Sequence, residues 1–368
     1  MGESQYPGVY IEEISSGPHR IDGVSTTTTA FVGRSDRGPI GTAVEVMTFL
    51  EHTKTFGGLD PRYELGHALR AFFANGGQRA WVVRVAEGES LAEGLTALEV
   101  VKELGLLCLP GEADVETLRM ALANAKRRGV FVIADPPGLE LRSAVALARA
   151  LADAGGDHGA MYYPPLHVGR AGKSAGVNAP SGSVAGIYVG TDLSRGVWRP
   201  PGGVEAVLRK GSRPAVRLDD SRASELKAAG INCIRDLPRI GPVLWGALTL
   251  QGGEPSDSEY KYVNVRRLSI FLEHSIDSGT QWAVFEPNDK QLWAKVRAAV
   301  DTFMLTLWRA GAFAGRTPAE AYFVRCDRQT MTQDDLDHGR LQIVVGFAPL
   351  QPAEFVLIKI TQLTDPAP

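Results

Sequence analysis

Glu354-Phe355-Val356-Leu357-Ile358-Lys359-Ile360-Thr361-Gln362-Leu363 is rich in β-branched and apolar residues and reads as one long strand. Near the other end, Gln5-Tyr6-Pro7-Gly8-Val9-Tyr10-Ile11-Glu12-Glu13-Ile14 reads as an extended segment opened by a turn, followed by the loop Ser15-Ser16-Gly17-Pro18. A long apolar strand at a chain end aggregates unless its edge is paired. The body between these ends cannot easily use either strand, so the expectation is pairing with other copies, strand added to strand. That points to a polymer subunit rather than a free enzyme.

The 368 residues suffice for two or three domains and a sizeable core. With 44% hydrophobic and 22% charged residues, the chain is neither disordered nor collagen-like. A net charge of −3 gives no basic footprint for nucleic acid. Cys108, Cys233 and Cys326 are far apart and lack a CxxC, so they form neither a disulfide framework nor a zinc pattern; buried free thiols are expected. There is no apolar signal core and no apolar run of membrane-spanning length. The expectation is folding in a reducing cytoplasm, with release by lysis or another non-signal route.

Gly and Pro punctuate the chain. Thr26–Gly33 reads as a strand, Leu65–Ala74 as a helix closed by Asn75-Gly76-Gly77, and Ala80–Val85 as a strand. Short apolar runs at 104–110, 129–135 and 160–163 alternate with helical segments at 115–126 and 141–154. Apolar runs bounded by helices fit strands buried on both faces of an α/β sheet. Positions 169–182 read as a loop, 184–189 resume apolar character, and 221–229 form a helix leading into Gly230–Arg235. The last third differs. Tyr262–Ile276 reads as a helix, Trp282–Phe285 as a strand, and Asn288 or Asp289 caps a long helix running to about Ala310. Strands at 322–326 and 341–347 follow. Helices and then strands in blocks indicate an α+β domain, with the boundary near 250.

No motif carries chemistry convincingly. Gly172-Lys173-Ser174-Ala175-Gly176 matches GxSxG, but that pattern needs a strand before it and a helix directly after. A P-loop ending at Gly172-Lys173-Ser174 would need Gly at position 167, which is His167. Asp219-Asp220 and the Asp334, Asp335, Asp337, His338 group read as solvated polar turns without metal-ligand spacing. Trp293 and Trp308 are expected to pack between layers. Lys261, Arg266 and Arg267, and on the long helix Lys290, Lys295, Arg297 and Arg309, read as a solvated face or as a salt-sensitive docking surface for an acidic partner. No catalytic, cofactor-binding or metal-ligating residue is assigned.

The order and spacing of several stretches resemble the contractile tail sheath family: sheaths of contractile-tailed phages, R-type tailocins and extracellular contractile injection systems. They are Tyr6–Glu13, Thr29–Gly33, Phe73–Gly77, Val83–Val85, Pro180–Tyr188, Arg195–Trp198, Gly230–Asn232, Gly241–Ala247, Phe285–Asn288 and 315–327. The resemblance implies a multi-domain tail-sheath fold, α/β plus α+β, with extended N- and C-terminal β-arms exchanged between subunits. It places an N-terminal arm at 1–25, an α/β body at 26–250 whose outward-facing middle is about 86–250, an inner domain at 251–350 and a C-terminal arm at 351–368. The arm residues would be Val9, Tyr10, Ile11, Ile14, Phe355, Val356, Leu357, Ile358 and Ile360, with Gly17-Pro18 and 349–352 as hinges.

The implied function is a structural subunit that polymerises helically around an inner tube and contracts to drive the tube through a target envelope. The implied partners are other copies of the chain, the inner tube protein, and baseplate and tail-terminator or cap proteins. Nucleic acid and direct membrane insertion are not among them. The tube contact carries over to Lys290, Lys295, Arg297 and Arg309 by position alone. Two other readings stand beside this one: an α/β hydrolase-like enzyme using the 169–182 loop, and a tail-tube or baseplate component.

Overall fold

In Phe131-Val132-Ile133-Ala134 every residue is buried, so both faces of this strand must be covered. The computed structural model describes residues 19–168, 176–209, 211–350 and 356–363. In chain order it begins with β1 (Thr29–Gly33), β2 (Ala43–Val46), α1 (Phe49–Phe56), α2 (Glu64–Ala74), β3 (Ala80–Arg84), α3 (Glu93–Ala97), β4 (Leu106–Cys108), α4 (Val115–Arg128) and β5 (Phe131–Ala134). The middle continues with α5 (Leu141–Ala152), β6 (Gly159–Tyr163), β7 (Leu166–Val168), β8 (Val177–Asn178), α6 (Ser181–Arg195), β9 (Ser212–Pro214), α7 (Asp220–Ala228), β10 (Ile231–Leu237) and β11 (Gly241–Trp245). The last third holds α8 (Val263–Gly279), α9 (Lys290–Arg309), α10 (Pro318–Ala321), β12 (Tyr322–Arg325), α11 (Gln333–Asp337), β13 (Arg340–Phe347) and β14 (Val356–Leu363).

An eight-stranded sheet runs in the order β11-β10-β6-β5-β4-β1-β3-β2. Its interior pairs are parallel, and β2 and β11 close the two edges antiparallel. Strand alternation sends Ala30, Val32, Val132 and Met161 to one face, where Leu118, Leu122, Ala148 and Leu226 cover them from α4, α5 and α7. Phe31, Phe131, Ile133 and Tyr162 go to the other face, under Leu69 and Phe72 of α2 and Val184 and Tyr188 of α6. The α/β reading of this part is what the chain forms.

On that second face α2 and α6 approach closely, and glycine makes the approach possible. A Cβ built on Gly182 would lie 2.1 Å from the Ala68 carbonyl oxygen, and one on Gly186 would lie 2.6 Å from that of Phe72. The spacing i, i+4 puts both glycines on one helix face. The segment 184–189 is therefore the middle of a helix packed backbone to backbone.

A third core gathers α8, α9 and the sheet β12-β13-β14 around Leu272, Val296, Val300, Met304, Leu341, Ile343 and Phe347. Asp289 caps α9 by accepting from the N–H groups of Gln291 and Leu292, each at 2.9 Å. Its apolar stripe Leu292, Val296, Ala299, Phe303, Leu307 is buried, as the helical spacing predicts. Trp293 is buried and donates from Nε1 to Asn288 Oδ1 at 2.7 Å; Trp308 donates to the Gly315 carbonyl at 3.3 Å.

Trp282–Phe285 corrects the sequence reading. It is part of a 3-10 turn over Gln281–Phe285, not a strand. Only Ala283 of it is buried, and Phe285 is 85% exposed, so the apolar run has no sheet to join. The sequence also gave no warning of β2, α1 or the β10–β11 hairpin.

Candidate assembly surfaces

The C-terminal strand is the first surface. β14 pairs antiparallel with β13 along its whole length, from Arg340↔Leu363 to Phe347↔Val356. Ile360 is buried in the third core, and Gln362 Nε2 donates to Asp277 Oδ1 at 2.8 Å and to the Asp277 carbonyl at 3.1 Å. The Thr361 hydroxyl donates to Gln342 Oε1 at 2.7 Å. The expectation that the body cannot use this strand is therefore corrected: one of its edges is taken by its own chain. The reason is register, since eight successive residues of β13 offer a matching ladder. The opposite edge of β14 carries no ladder partner among the described residues, and β12 closes the sheet on the far side of β13. Phe355 lies outside the described residues; Val356, Leu357 and Ile358 belong to β14.

At the other end, Val9, Tyr10, Ile11 and Ile14 lie outside the described residues. The end of the 1–25 stretch is attached to its own chain. Ile21 is buried in the third core, the Val24 N–H donates to Ser275 Oγ of α8 at 3.1 Å, and His19 stacks on Trp282 with ring centroids 3.8 Å apart.

The third surface is α9. Lys290, Lys295, Arg297 and Arg309 are all exposed, but the helical spacing spreads them around α9: Lys290 and Arg297 lie on one flank of the buried side, and Lys295 and Arg309 on the other. Lys295 pairs loosely with Glu286 at 3.9 Å; no ion pair engages the other three among the described residues. Exposed Asp301 interrupts this basic series.

Arg266 and Arg267 overturn both readings of the 261–267 basic cluster, because both are buried at the start of α8. Arg267 binds Asp192 of α6 through both guanidinium nitrogens. Its Nη2 also donates to the Thr26 carbonyl at 3.1 Å, and its guanidinium lies 5.1 Å from the centre of the Tyr188 ring. Arg266 reaches His158 Nε2 at 2.5 Å and Asp157 Oδ2 at 3.3 Å, and covers the Tyr260 ring. A guanidinium only donates, so His158 Nε2 accepts and Nδ1, 3.1 Å from Asp157 Oδ2, carries the proton. These arginines join the C-terminal core to the α/β body. The sequence placed them on a helix but could not show partners 75 and 108 positions away.

The described acidic candidates are engaged in caps and ion pairs. The 172–175 part of the GxSxG and P-loop matches lies outside the described residues. Asp219 caps α7, accepting from the Arg222 N–H at 2.8 Å, and Asp220 pairs with Arg235 at 3.0 Å. Asp335 forms a capping box with Thr332. The Thr332 N–H and hydroxyl, then Arg340, hold its carboxyl well below the usual range. Among the described residues no group of His, Cys, Asp and Glu could hold a metal ion. Cys108, Cys233 and Cys326 are buried free thiols, and burial pushes Cys233 up to about 11 and Cys326 up to about 12.

One carboxyl escaped the sequence reading. Asp135, at the end of β5, is fully buried and receives the Ser181 hydroxyl at 2.6 Å, the Ser181 N–H at 2.8 Å and the Gly111 N–H at 3.1 Å. Burial outweighs these three donors and raises it to about 7. It anchors the start of α6 to the sheet. In the sequence Asp135 read only as the end of an apolar strand.

Residues 255–362 match the family model described as the phage tail sheath C-terminal domain. Among curated proteins none matches the chain. The whole chain resembles the sheath of an extracellular contractile injection system, PVC, in its contracted state: TM-score 0.78, 30% identity, 99% of each chain covered. It likewise resembles the contracted helical sheath of the anti-feeding prophage, with TM-score 0.77 and 32% identity over 98% of this chain and 99% of that one. A sheath tail protein from Listeria innocua shares the fold, with TM-score 0.66 at 11% identity over 93% of this chain and 96% of that one. With full-length likeness at this identity, and an α/β sheet followed by an α+β core in the same order, the chain belongs to the family of contractile tail sheath proteins.

Proposed function

We propose that this chain is the repeating structural subunit of a contractile sheath, polymerising helically around an inner tube and contracting to drive that tube through a target envelope. The single observation that carries the reading is the end-to-end similarity to sheath subunits of PVC and the anti-feeding prophage, both in contracted complexes. The particle is a phage tail-like or extracellular contractile injection particle. Its partners are other copies of the chain, a baseplate of the kind a similar chain occupies in the anti-feeding prophage, an inner tube protein and a tail-terminator or cap protein. No helix of the described residues is long and apolar enough to cross a membrane. The chain acts without cofactor or catalysis.

In this reading the arms carry connectivity. Val9, Tyr10, Ile11 and Ile14 of one copy add to a three-stranded sheet of a neighbour, and the strand from Phe355 through Ile360 either stays on its own β13 or exchanges. The edge of β14 that has no ladder partner among the described residues supports strand addition, because such an edge offers N–H and C=O groups to an incoming chain. Lys290, Lys295, Arg297 and Arg309 contribute to the tube contact, a reading supported by their exposure along α9. The division proposed is 1–25, 26–250, 251–350 and 351–368, with 86–250 outward; it is supported by two cores drawn almost wholly from before position 250 and a third drawn mostly from after it, with Ile21, Val197 and Val263 crossing the boundary.

Electron micrographs of the concentrated, purified protein test the function. Hollow, striated tubes of uniform width are expected. A persistent monomer, alone and with co-expressed tube protein, would overturn the reading.

A further inference from the structure

Two clusters of exposed charge, opposite in sign, lie at the carboxyl edge of the parallel strands but at different ends of the eight-stranded sheet. The first is a groove between the β10–β11 hairpin and the small sheet of β7, β8 and β9. Arg213, Arg217, Arg235 and Arg239 line it, with Val207 and Ile240 on its apolar wall. Arg235 is neutralised by Asp220. Arg213, Arg217 and Arg239 are exposed and engage no acid among the described residues. The lone acid of the groove is Asp236.

The second cluster follows β3 and β4. Glu87, Glu89 and Glu93 occupy the segment from β3 into α3, and Glu116 sits in the first turn of α4. The Ser90 and Thr117 hydroxyls, 3.0 Å apart, tie the two segments together. Glu87 accepts from the Tyr63 hydroxyl, and Arg34 is spent on the Glu89 carbonyl oxygen. The Glu89, Glu93 and Glu116 carboxylates are exposed and have no cation partner among the described residues.

These clusters cannot meet within one chain. β10 stands second in the strand order, β4 fifth and β3 seventh, so about 14 to 24 Å of sheet separates them. Opposite charges held apart on one body meet only between copies. A contact of groove to acidic edge leaves a groove free on one copy and an acidic edge free on the next, so it propagates as a ring or helix.

We propose that the arginine groove of one copy receives the acidic edge of the next, and that this head-to-tail ion contact fixes lateral neighbours in the polymer. The inference rests on the sheath reading and adds a partner surface to it. The contact lies outside the terminal strands, so it sets the spacing of the bodies while the arms set their connectivity. Exposed pairs of this kind weaken with salt and penalise mispairing.

Two charge-reversed full-length chains test it: Arg213→Glu, Arg217→Glu, Arg239→Glu in the groove, and Glu89→Lys, Glu93→Lys, Glu116→Lys on the edge. Each alone is expected to raise the concentration at which tubes form by more than about tenfold, and the chain carrying both sets is expected to form tubes again. Recovery in the combined chain excludes misfolding as the cause. Tubes from either single-set chain at the wild-type concentration would overturn the inference while leaving the sheath reading intact. The two single-set chains are also mixed and sedimented at low salt. Complexes larger than either chain alone are expected whether or not the wild type forms tubes, and separate sedimentation would overturn the charge pairing.

Discussion

Arg267 and Asp192 hold each other through two charge-assisted hydrogen bonds, 2.6 and 2.9 Å long, with 4% and 3% of their side chains exposed. Thr26 adds its hydroxyl to the same carboxylate at 2.6 Å. Removing one member of such a pair leaves the other charge buried and unpaired. Asp192→Ala is therefore expected to cost about 3–5 kcal/mol in urea unfolding. The double variant Arg267→Met, Asp192→Leu should recover much of that loss, because the desolvation of both charges disappears. A single-variant loss below about 1 kcal/mol, the worth of an exposed pair, would show that the site is wet.

Gly186 fails as alanine for a different reason. Alanine favours a helix by about 1 kcal/mol over glycine, yet the added methyl would meet the Phe72 carbonyl and the Asn75 side chain. Overpacking of this kind costs roughly 1–3 kcal/mol, so Gly186→Ala should lower Tm despite its better propensity. An unchanged or higher Tm would mean that α2 and α6 can separate without penalty.

Asp135 makes stability depend on pH. Its pKa stands near 7 when folded, above the ordinary carboxyl value of 3.8. The folded state therefore holds this proton more tightly, and the favourable contribution, complete at low pH, is lost as pH rises toward about 7. The Tm of the wild type minus that of Asp135→Asn should fall between pH 4 and 7 and level off above. A difference independent of pH would show that Asp135 ionises normally in the fold.

The arms are tested by truncation and by proline. Deleting 354–368 should leave a folded body that forms no tubes, since it removes β14 and bares β13. Proline at Val9 or Ile11 removes a ladder donor and should also block tubes while sparing the monomer. Normal tubes in micrographs of any of these variants would exclude that arm from the polymer.

Reversing Lys290, Lys295, Arg297 and Arg309 to Glu should leave the fold unchanged, since all four are exposed. Sheath tubes should still form, but co-sedimentation with inner tube protein should drop at low salt. Undiminished co-sedimentation would move the tube contact off α9.

What was legible in the sequence followed local rules. The buried strands around Phe131 and the stripe and cap of α9 obey period and capping chemistry, and they fold as read. Trp282–Phe285 has strand-like composition but no neighbouring edge, so it closes into a turn. Arg266 and Arg267 looked like surface because charge usually is. Their partners lie on α6 and beside β6, and only the fold brings them together. Gly182 read as part of a loop and Gly186 only as part of an apolar stretch, because the sequence does not show that another backbone needs their space.

Helix α8 has a mechanical consequence. At its far end Asp277 receives Gln362 of β14; about 15 Å away, in its first turns, Arg266 and Arg267 grip Asp157 and Asp192. A pull on the last strand thus enters a stiff rod at one tip and leaves it through two adjacent side chains at the other. Any displacement of the last strand therefore has a lever into α6 and the turn before β6 within the single chain.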